Sequence, residues 1–297
     1  MDKGKIIRLT LMTLFAAVFC YSAVKLIGIW TTYSENEKIY DDAAEQFLIY
    51  TTPAGSGEEP SPPDTTAAPP QTETDESGGT APSGTVSGPD TAAAPPETSA
   101  PPPQTTAPPP AAPDFTPNWA ALREVNPDIG GWIWQSGTTI NYPLLKGEDN
   151  EEYLRTTYNH KSSKLGSIFL DYRSELGGRN AVIYGHNAGN GKMFATLVKY
   201  KSRAYYDANP YFYIMTEAGT KKYQIFAAYQ VTTDSDTYTF AFEDDAAYEA
   251  YLSKILMRSA YNTGVTVGAG DEIVTLSTCT NTGKQIRFVV HAKRIEG

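Results

Sequence analysis

Three residues far apart in the chain carry side chains that together support acyl-transfer chemistry: Cys279, His186 and Arg287. Cys279 follows the run Ile273-Val-Thr-Leu-Ser-Thr, whose β-branched pattern predicts a strand ending in a thiol that faces a cleft. Taken alone, such a cysteine is as readily a buried structural residue. His186 closes a second strand-like run, Ala181-Val-Ile-Tyr-Gly, and Gly185 beside it leaves room for a ligand or a second chain. Arg287 lies in Gln285-Ile-Arg-Phe-Val-Val-His-Ala, where alternation puts Arg287 and His291 on one face and Ile286, Phe288 and Val290 on the other. A cation in so apolar a strand needs a partner or a ligand to offset its desolvation, and a salt bridge would satisfy it equally. The combination is more telling than any member. A cysteine nucleophile needs thiolate character and a proton donor for the leaving amine, and imidazole and guanidinium favour the thiolate. A fixed guanidinium also suits the oxyanion of a tetrahedral intermediate.

Two rival chemistries fit less well. A cysteine phosphatase closes Cys and Arg around one tight phosphate loop with five residues between them, whereas seven separate Cys279 from Arg287, which reads as strand. A structural or catalytic zinc site needs three or four ligands at recognisable spacing, and His160, His186 and His291 are scattered. No metal or cofactor is called for.

The elements that must position these groups form the last part of a chain divided into four. Residues 1–32 open with Lys3, Lys5 and Arg8, followed by an apolar run from Leu9 to Trp30 broken only by Lys25. As a helix these 22 residues would span about 33 Å, close to the ~30 Å hydrocarbon core of a bilayer. Lys25 can snorkel at the far end, and the leading positive charge predicts a cytoplasmic N-terminus with the remainder exported. A cleaved signal peptide competes, although Tyr21-Ser-Ala23 offers a poor cleavage site, and Phe19 disfavours a lipoprotein site at Cys20. Residues 33–50 carry Ile39, Tyr40, Ala43, Ala44, Phe47 and Leu48 at helical spacing, predicting a short amphipathic helix that packs on the head or the membrane.

Residues 51–116 are rich in Pro, Thr and Ala; 18 of the chain's 21 prolines fall between Thr51 and Pro117. This stretch has nine acidic residues and no Lys or Arg, so it supplies −9 of the net charge of −10. The acidity therefore describes a linker and not a substrate preference, and no basic nucleic-acid footprint exists. The composition predicts a disordered tether, about 200 Å if fully extended and nearer 45 Å as a coil, that holds the head away from the membrane. Residues 117–297 alone have the apolar density of a packed core. Strand patterns at Trp132–Trp134, Ser167–Asp171, Ala181–Gly185, Tyr211–Met215, Tyr223–Val231, Glu272–Leu276 and Ile286–Ala292 predict a mainly β barrel or sandwich. Helices are predicted at Trp119–Val125, Asn150–Thr156 and Asp244–Met257. The two cysteines, Cys20 and Cys279, exclude a disulfide framework.

The run Thr275-Leu-Ser-Thr-Cys279 followed by Arg287-Phe-Val-Val-His-Ala-Lys-Arg-Ile295 resembles the signature of the sortases, in particular class B. The similarity extends through Asn126-Pro-Asp-Ile-Gly-Gly-Trp-Ile133, Ile140-Asn-Tyr-Pro143, Asp149-Asn-Glu-Glu-Tyr-Leu154, Gly166-Ser-Ile-Phe-Leu-Asp171, Tyr184-Gly-His-Asn187 and Met193-Phe194, nearly the whole head. The resemblance implies an eight-stranded β-barrel with N-terminal helices and a long helix before the catalytic-Cys strand. It implies a cysteine transpeptidase in which Cys279 attacks the carbonyl after Thr in a C-terminal sorting motif of an exported surface protein. The acceptor would be an amine of a peptidoglycan precursor or a pilin lysine; a hydrolytic cysteine protease and a non-catalytic peptide-binding module are the rival readings. The resemblance makes His186 the general acid/base, Arg287 the oxyanion or substrate residue and the Thr280 backbone N–H a second oxyanion donor. Asn150, Leu154, Ser277 and Thr278 would line the peptide groove. The long Pro/Thr-rich stretch departs from the class B pattern.

Overall fold

The structure, a computed structural model, describes residues 3–51, 112–280 and 283–296; most of the expected linker falls at 52–111, outside them. Helix α1 runs unbroken over Lys3–Phe47, about 68 Å at 1.5 Å per residue. It contains an 18-residue window of mean hydropathy 1.8, none of it buried, and is long and apolar enough to cross a membrane. The separate short helix expected over 33–50 is instead the last third of α1. No Gly or Pro lies between Gly28 and Phe47 to break it. Its stripe packs on the head: Tyr40, Ala43 and Phe47 are buried. The Tyr40 ring meets Tyr142 and Tyr158 edge-on or tilted, at 5.3 and 5.8 Å. Its hydroxyl donates to the Gly166 carbonyl at 2.6 Å, and Lys192 reaches Glu37 at 2.9 Å.

Residues Leu48–Tyr50 leave the helix as strand β1 and pair antiparallel with β2, Phe115–Pro117, in the register Leu48↔Pro117 and Tyr50↔Phe115. The Thr51 amide and hydroxyl both donate to the Asp114 carbonyl, at 2.8 and 2.6 Å. The Asn118 amide donates to the Phe47 carbonyl at 2.7 Å. The residues flanking the Pro-rich stretch are thus hydrogen-bonded to each other, and α1 lies on the barrel. The length of that stretch therefore does not set the distance between α1 and the head; the disordered tether expected from composition lies outside the described residues.

Helix α2 (Trp119–Val125) leads into the barrel strands β3 (Ile129–Trp134), β4 (Asn141–Leu145), β5 (Ile168–Leu170) and β6 (Asn180–Gly185), then helix α3 (Arg203–Ala208). Strands β7 (Tyr211–Thr216) and β8 (Gly219–Thr232), helix α4 (Asp245–Arg258), and β9 (Ile273–Thr280) and β10 (Gly283–Ile295) complete the chain. The eight strands β3–β10 close a barrel in the order β10-β8-β7-β3-β4-β5-β6-β9. The pairs β4–β5 and β6–β9 are parallel, and the other barrel pairs are antiparallel. Alternation sends Phe288, Val290, Val274 and Leu276 into the barrel core, while Val289 and Ile273 join Tyr248, Tyr251, Leu252 and Ile255 of α4 in a second core outside the wall. Asp244 caps α4 by accepting from the Ala247 amide at 2.7 Å.

Two local expectations change. Strand β4 holds Pro143, which discourages a strand reading because it has no N–H for the ladder. The strand tolerates it because Pro143 pairs only with Trp132 of β3; pairing with β5 begins at Leu144. The helix expected over Asn150–Thr156 is a single 3-10 turn, Glu152–Leu154. Asp149 starts it by accepting from the Glu151 and Glu152 amides, but the Tyr153 carbonyl is taken by the Ser167 amide at 2.9 Å, and Thr156 bridges to Ser162.

Candidate active site

Strand register brings the three chemical groups together. On one side of β9, β6 pairs in parallel with Gly185↔Thr278, so His186 follows at the level of Cys279. On the other side, β10 pairs with Arg287↔Cys279. Neighbouring strands lie about 4.8 Å apart, so Arg287 stands on one strand flanking Cys279 and His186 just past the end of the other. All three line one pocket of about 480 Å³, together with Asn150, Leu154, Ser277 and Thr278. Thr280 ends β9, its hydroxyl donating to the Ile286 carbonyl at 3.3 Å.

The face of β9 explains why Cys279 is reachable. Thr275 is buried, hydrogen-bonded to Asn180 at 2.7 Å and to His291 Nδ1 at 2.9 Å beneath the second core. Ser277 is buried under Tyr238, whose hydroxyl lies 3.0 Å from its own. Cys279, two residues further, is partly exposed where that cover ends. His291, on the same face of β10 as Arg287, belongs to the buried part: its Nε2 lies 3.0 Å from the Tyr229 hydroxyl, and burial pushes its imidazole down to about 3.

His186 is held by its surroundings. Its Nε2 lies 2.8 Å from the Leu154 carbonyl; a carbonyl only accepts, so this nitrogen carries a proton and Nδ1 remains for proton exchange. The Leu154 carbonyl is set by Gly166, at φ +53°, where an added Cβ would come within 2.2 Å of the Tyr153 carbonyl oxygen. Asn187 donates to the Cys279 carbonyl at 3.0 Å, fastening the His loop to the Cys strand. The space expected beside Gly185 for a ligand is occupied by core: an added Cβ would lie 2.4 Å from Ile168 Cδ1 and 2.7 Å from the Phe194 ring.

Sequence reasoning did not single out Tyr184, Arg173 and Tyr238, which also line the pocket, nor Asp171, which binds two of them. Burial pushes the Tyr238 phenol up to about 12, so it stays a neutral hydrogen-bonding group. The available signal was a polar residue ending the apolar run Ile168-Phe-Leu, which would have marked Asp171 as a buried carboxylate in need of partners.

A cysteine on a barrel strand, flanked by histidine and arginine in one groove, is an arrangement suited to acyl transfer; the family comparison makes the class a cysteine transpeptidase. The Sortase domain family model matches residues 136–295, and the chain belongs to the sortase family. Within that family it is a class B enzyme, a sortase B-type transpeptidase that anchors surface proteins. It is 36% identical over 184 residues to sortase B of Staphylococcus aureus, covering 61% of this chain and 75% of that protein. It is 40% identical over 162 residues to sortase B of Listeria monocytogenes, covering 53% of this chain and 65% of that protein. Among solved structures, the Staphylococcus aureus sortase B–substrate complex superposes with a TM-score of 0.58 at 36% identity, covering 60% of this chain and 85% of that one. Clostridium perfringens sortase B gives 0.57 at 34% identity, covering 60% and 99%.

Proposed function

We propose that Cys279, His186 and Arg287 cleave a C-terminal sorting motif after Thr and pass the acyl group to an amine of a peptidoglycan precursor. The Cys279 thiolate attacks the scissile carbonyl. Arg287 and the Thr280 backbone N–H hold the oxyanion. The C–N bond breaks as His186 gives its proton to the departing amine, leaving a thioester on Cys279. The acceptor amine then loses a proton to His186 and attacks the thioester; a new amide forms and the thiolate leaves. Asn150, Leu154, Ser277 and Thr278 line the groove that seats the peptide. Helix α1 anchors the enzyme in the cytoplasmic membrane, with Lys3, Lys5 and Arg8 on the cytoplasmic side and the barrel outside.

The observation that carries this reading is the paired register, Gly185↔Thr278 beside Arg287↔Cys279. Mass spectrometry of the protein with a library of sorting peptides tests it. A thioester on Cys279, resolved by added glycine peptide into amide product, supports the proposal. Product formed with a lysine amine in place of glycine would make the enzyme a pilin polymerase. Carboxylic acid as the sole product under every amine would make it a protease.

A further inference from the structure

The loop after β5 buries one ionised side chain beside the pocket. Asp171 is fully buried, and its carboxylate accepts five hydrogen bonds. Oδ1 takes the Arg173 amide at 3.0 Å and Arg173 Nε at 2.9 Å. Oδ2 takes Arg173 Nη2 at 2.8 Å, Asn150 Nδ2 at 3.0 Å and the Tyr184 hydroxyl at 3.0 Å. Burial opposes its charge, but Arg173, Asn150 and Tyr184 outweigh that and hold the carboxyl below the usual carboxylate range.

What distinguishes this carboxylate from an ordinary structural one is the identity of its partners. Every side chain that donates to it lines the catalytic pocket, and they come from three segments: the loop after β4, the loop after β5, and β6. Asn150 is fixed in orientation, since its Oδ1 accepts the Tyr172 amide at 3.1 Å while one Nδ2 hydrogen goes to Asp171, so its amide cannot flip and its second N–H remains for a ligand. Arg173 is gripped side-on through Nε and Nη2, with Nη1 outside the pair, and its guanidinium lies over Phe240 at 5.0 Å. Tyr184 lies in β6, two residues before His186.

We propose that Asp171 is a positioning residue for peptide recognition: it locks Asn150, Arg173 and Tyr184 into one wall of the groove and so fixes where the sorting peptide lies relative to Cys279. This rests on the reading of the pocket as the sorting-peptide groove. Asp171 does not touch the thiol, so its loss acts on peptide seating before it acts on the nucleophile.

The test is Asp171→Asn in the full chain, measured three ways: steady-state kinetics with a sorting peptide, the pH profile of Cys279 alkylation by iodoacetamide, and Tm. The expected result is a KM raised about tenfold or more, the scale of losing a charge-assisted hydrogen-bond hub, with the alkylation profile unchanged and kcat little altered. Should the variant fold poorly, Asn150→Ala keeps the carboxylate and removes one wall member; it should raise KM by itself, and its effect should be less than additive with Asp171→Asn. A lowered Tm with unchanged KM, or additive KM effects, would reduce Asp171 to a structural ion pair and overturn the proposal. A parallel fall in kcat and alkylation rate would overturn it in favour of a direct effect on Cys279. Wild-type protein that alkylates normally at Cys279 but processes no sorting peptide would overturn the groove reading itself, and this assignment with it.

Discussion

The seam β6–β9–β10 and the junction of α1 with β1 and β2 are both places where distant stretches of chain meet, yet they are built on opposite terms. At the seam, ladder hydrogen bonds over many residues fix His186, Cys279 and Arg287 at one level. At the junction, three paired residues on each strand and a few buried side chains of α1 close the chain around residues 52–111. The seam tolerates no register change, because a one-residue slip would turn the thiol to the other face. The junction depends on where the chain leaves and returns and is indifferent to the length between. The candidate site sits at the end of two long ladders, where Arg287↔Cys279 and Gly185↔Thr278 are the last regular pairs, and the long insertion leaves from a short one.

The contrast breaks most sharply at the seam. Cys279→Ala should abolish both the thioester mass shift and amide product, and any residual peptide cleavage would place the nucleophile elsewhere. Arg287→Lys should lower kcat/KM by about 10²-fold or more, since a point charge does not replace a planar fork aimed at an oxyanion. Near wild-type turnover would remove Arg287 from the transition state.

At the junction the expected effects are on stability. Phe47→Ala empties a buried site where α1 meets Tyr158, with ring centroids 6.2 Å apart, and should cost about 3–5 kcal/mol. Thermal unfolding of the full chain checks this; an unchanged Tm would mean that α1 does not dock. A smaller effect comes from His291. Burial pushes its imidazole down to about 3, with the Arg258 charge adding to it, against an ordinary value of 6.5. The folded value lies below the unfolded one, so its contribution is whole above about pH 6.5 and is lost as pH falls toward 3. His291→Gln should begin less stable at pH 7 yet lose less between pH 6.5 and 4; identical slopes would assign the acid sensitivity to another group. The smallest expected effect is that of replacing residues 52–111 by a short Gly/Asn turn, which should leave turnover and Tm unchanged. Loss of folding would show that the insertion holds the junction together.

Legibility in the sequence follows the same division. Cys279, His186 and Arg287 were readable because each ends or interrupts a strand with a strong local pattern, and alternation in β10 correctly separated Phe288 and Val290 from Arg287 and His291. Helix α4 was readable from its apolar face and Asp244 cap. Strand β4 was hidden by Pro143, and the turn after Asp149 looked helical because the donor that stops it, the Ser167 amide bound to the Tyr153 carbonyl, lies fourteen residues beyond Tyr153. Which donors serve Asp171 was illegible, because they stand 2, 13 and 21 positions away and belong together only in three dimensions. The paired ends of the insertion were illegible for the same reason: composition describes what a segment cannot pack, and says nothing of whether its two ends coincide.

The unbroken run of α1 has a geometric corollary. A helix advances about 1.5 Å and turns about 100° with each residue, and α1 joins its apolar part to the docked residues Tyr40 and Phe47 without a hinge residue between. One residue inserted after Trp30 would therefore barely change the height of the barrel but would swing the mouth of the pocket through more than a quarter circle about the helix axis. The number of residues between those two points thus sets the rotation of the pocket relative to the apolar part of the helix.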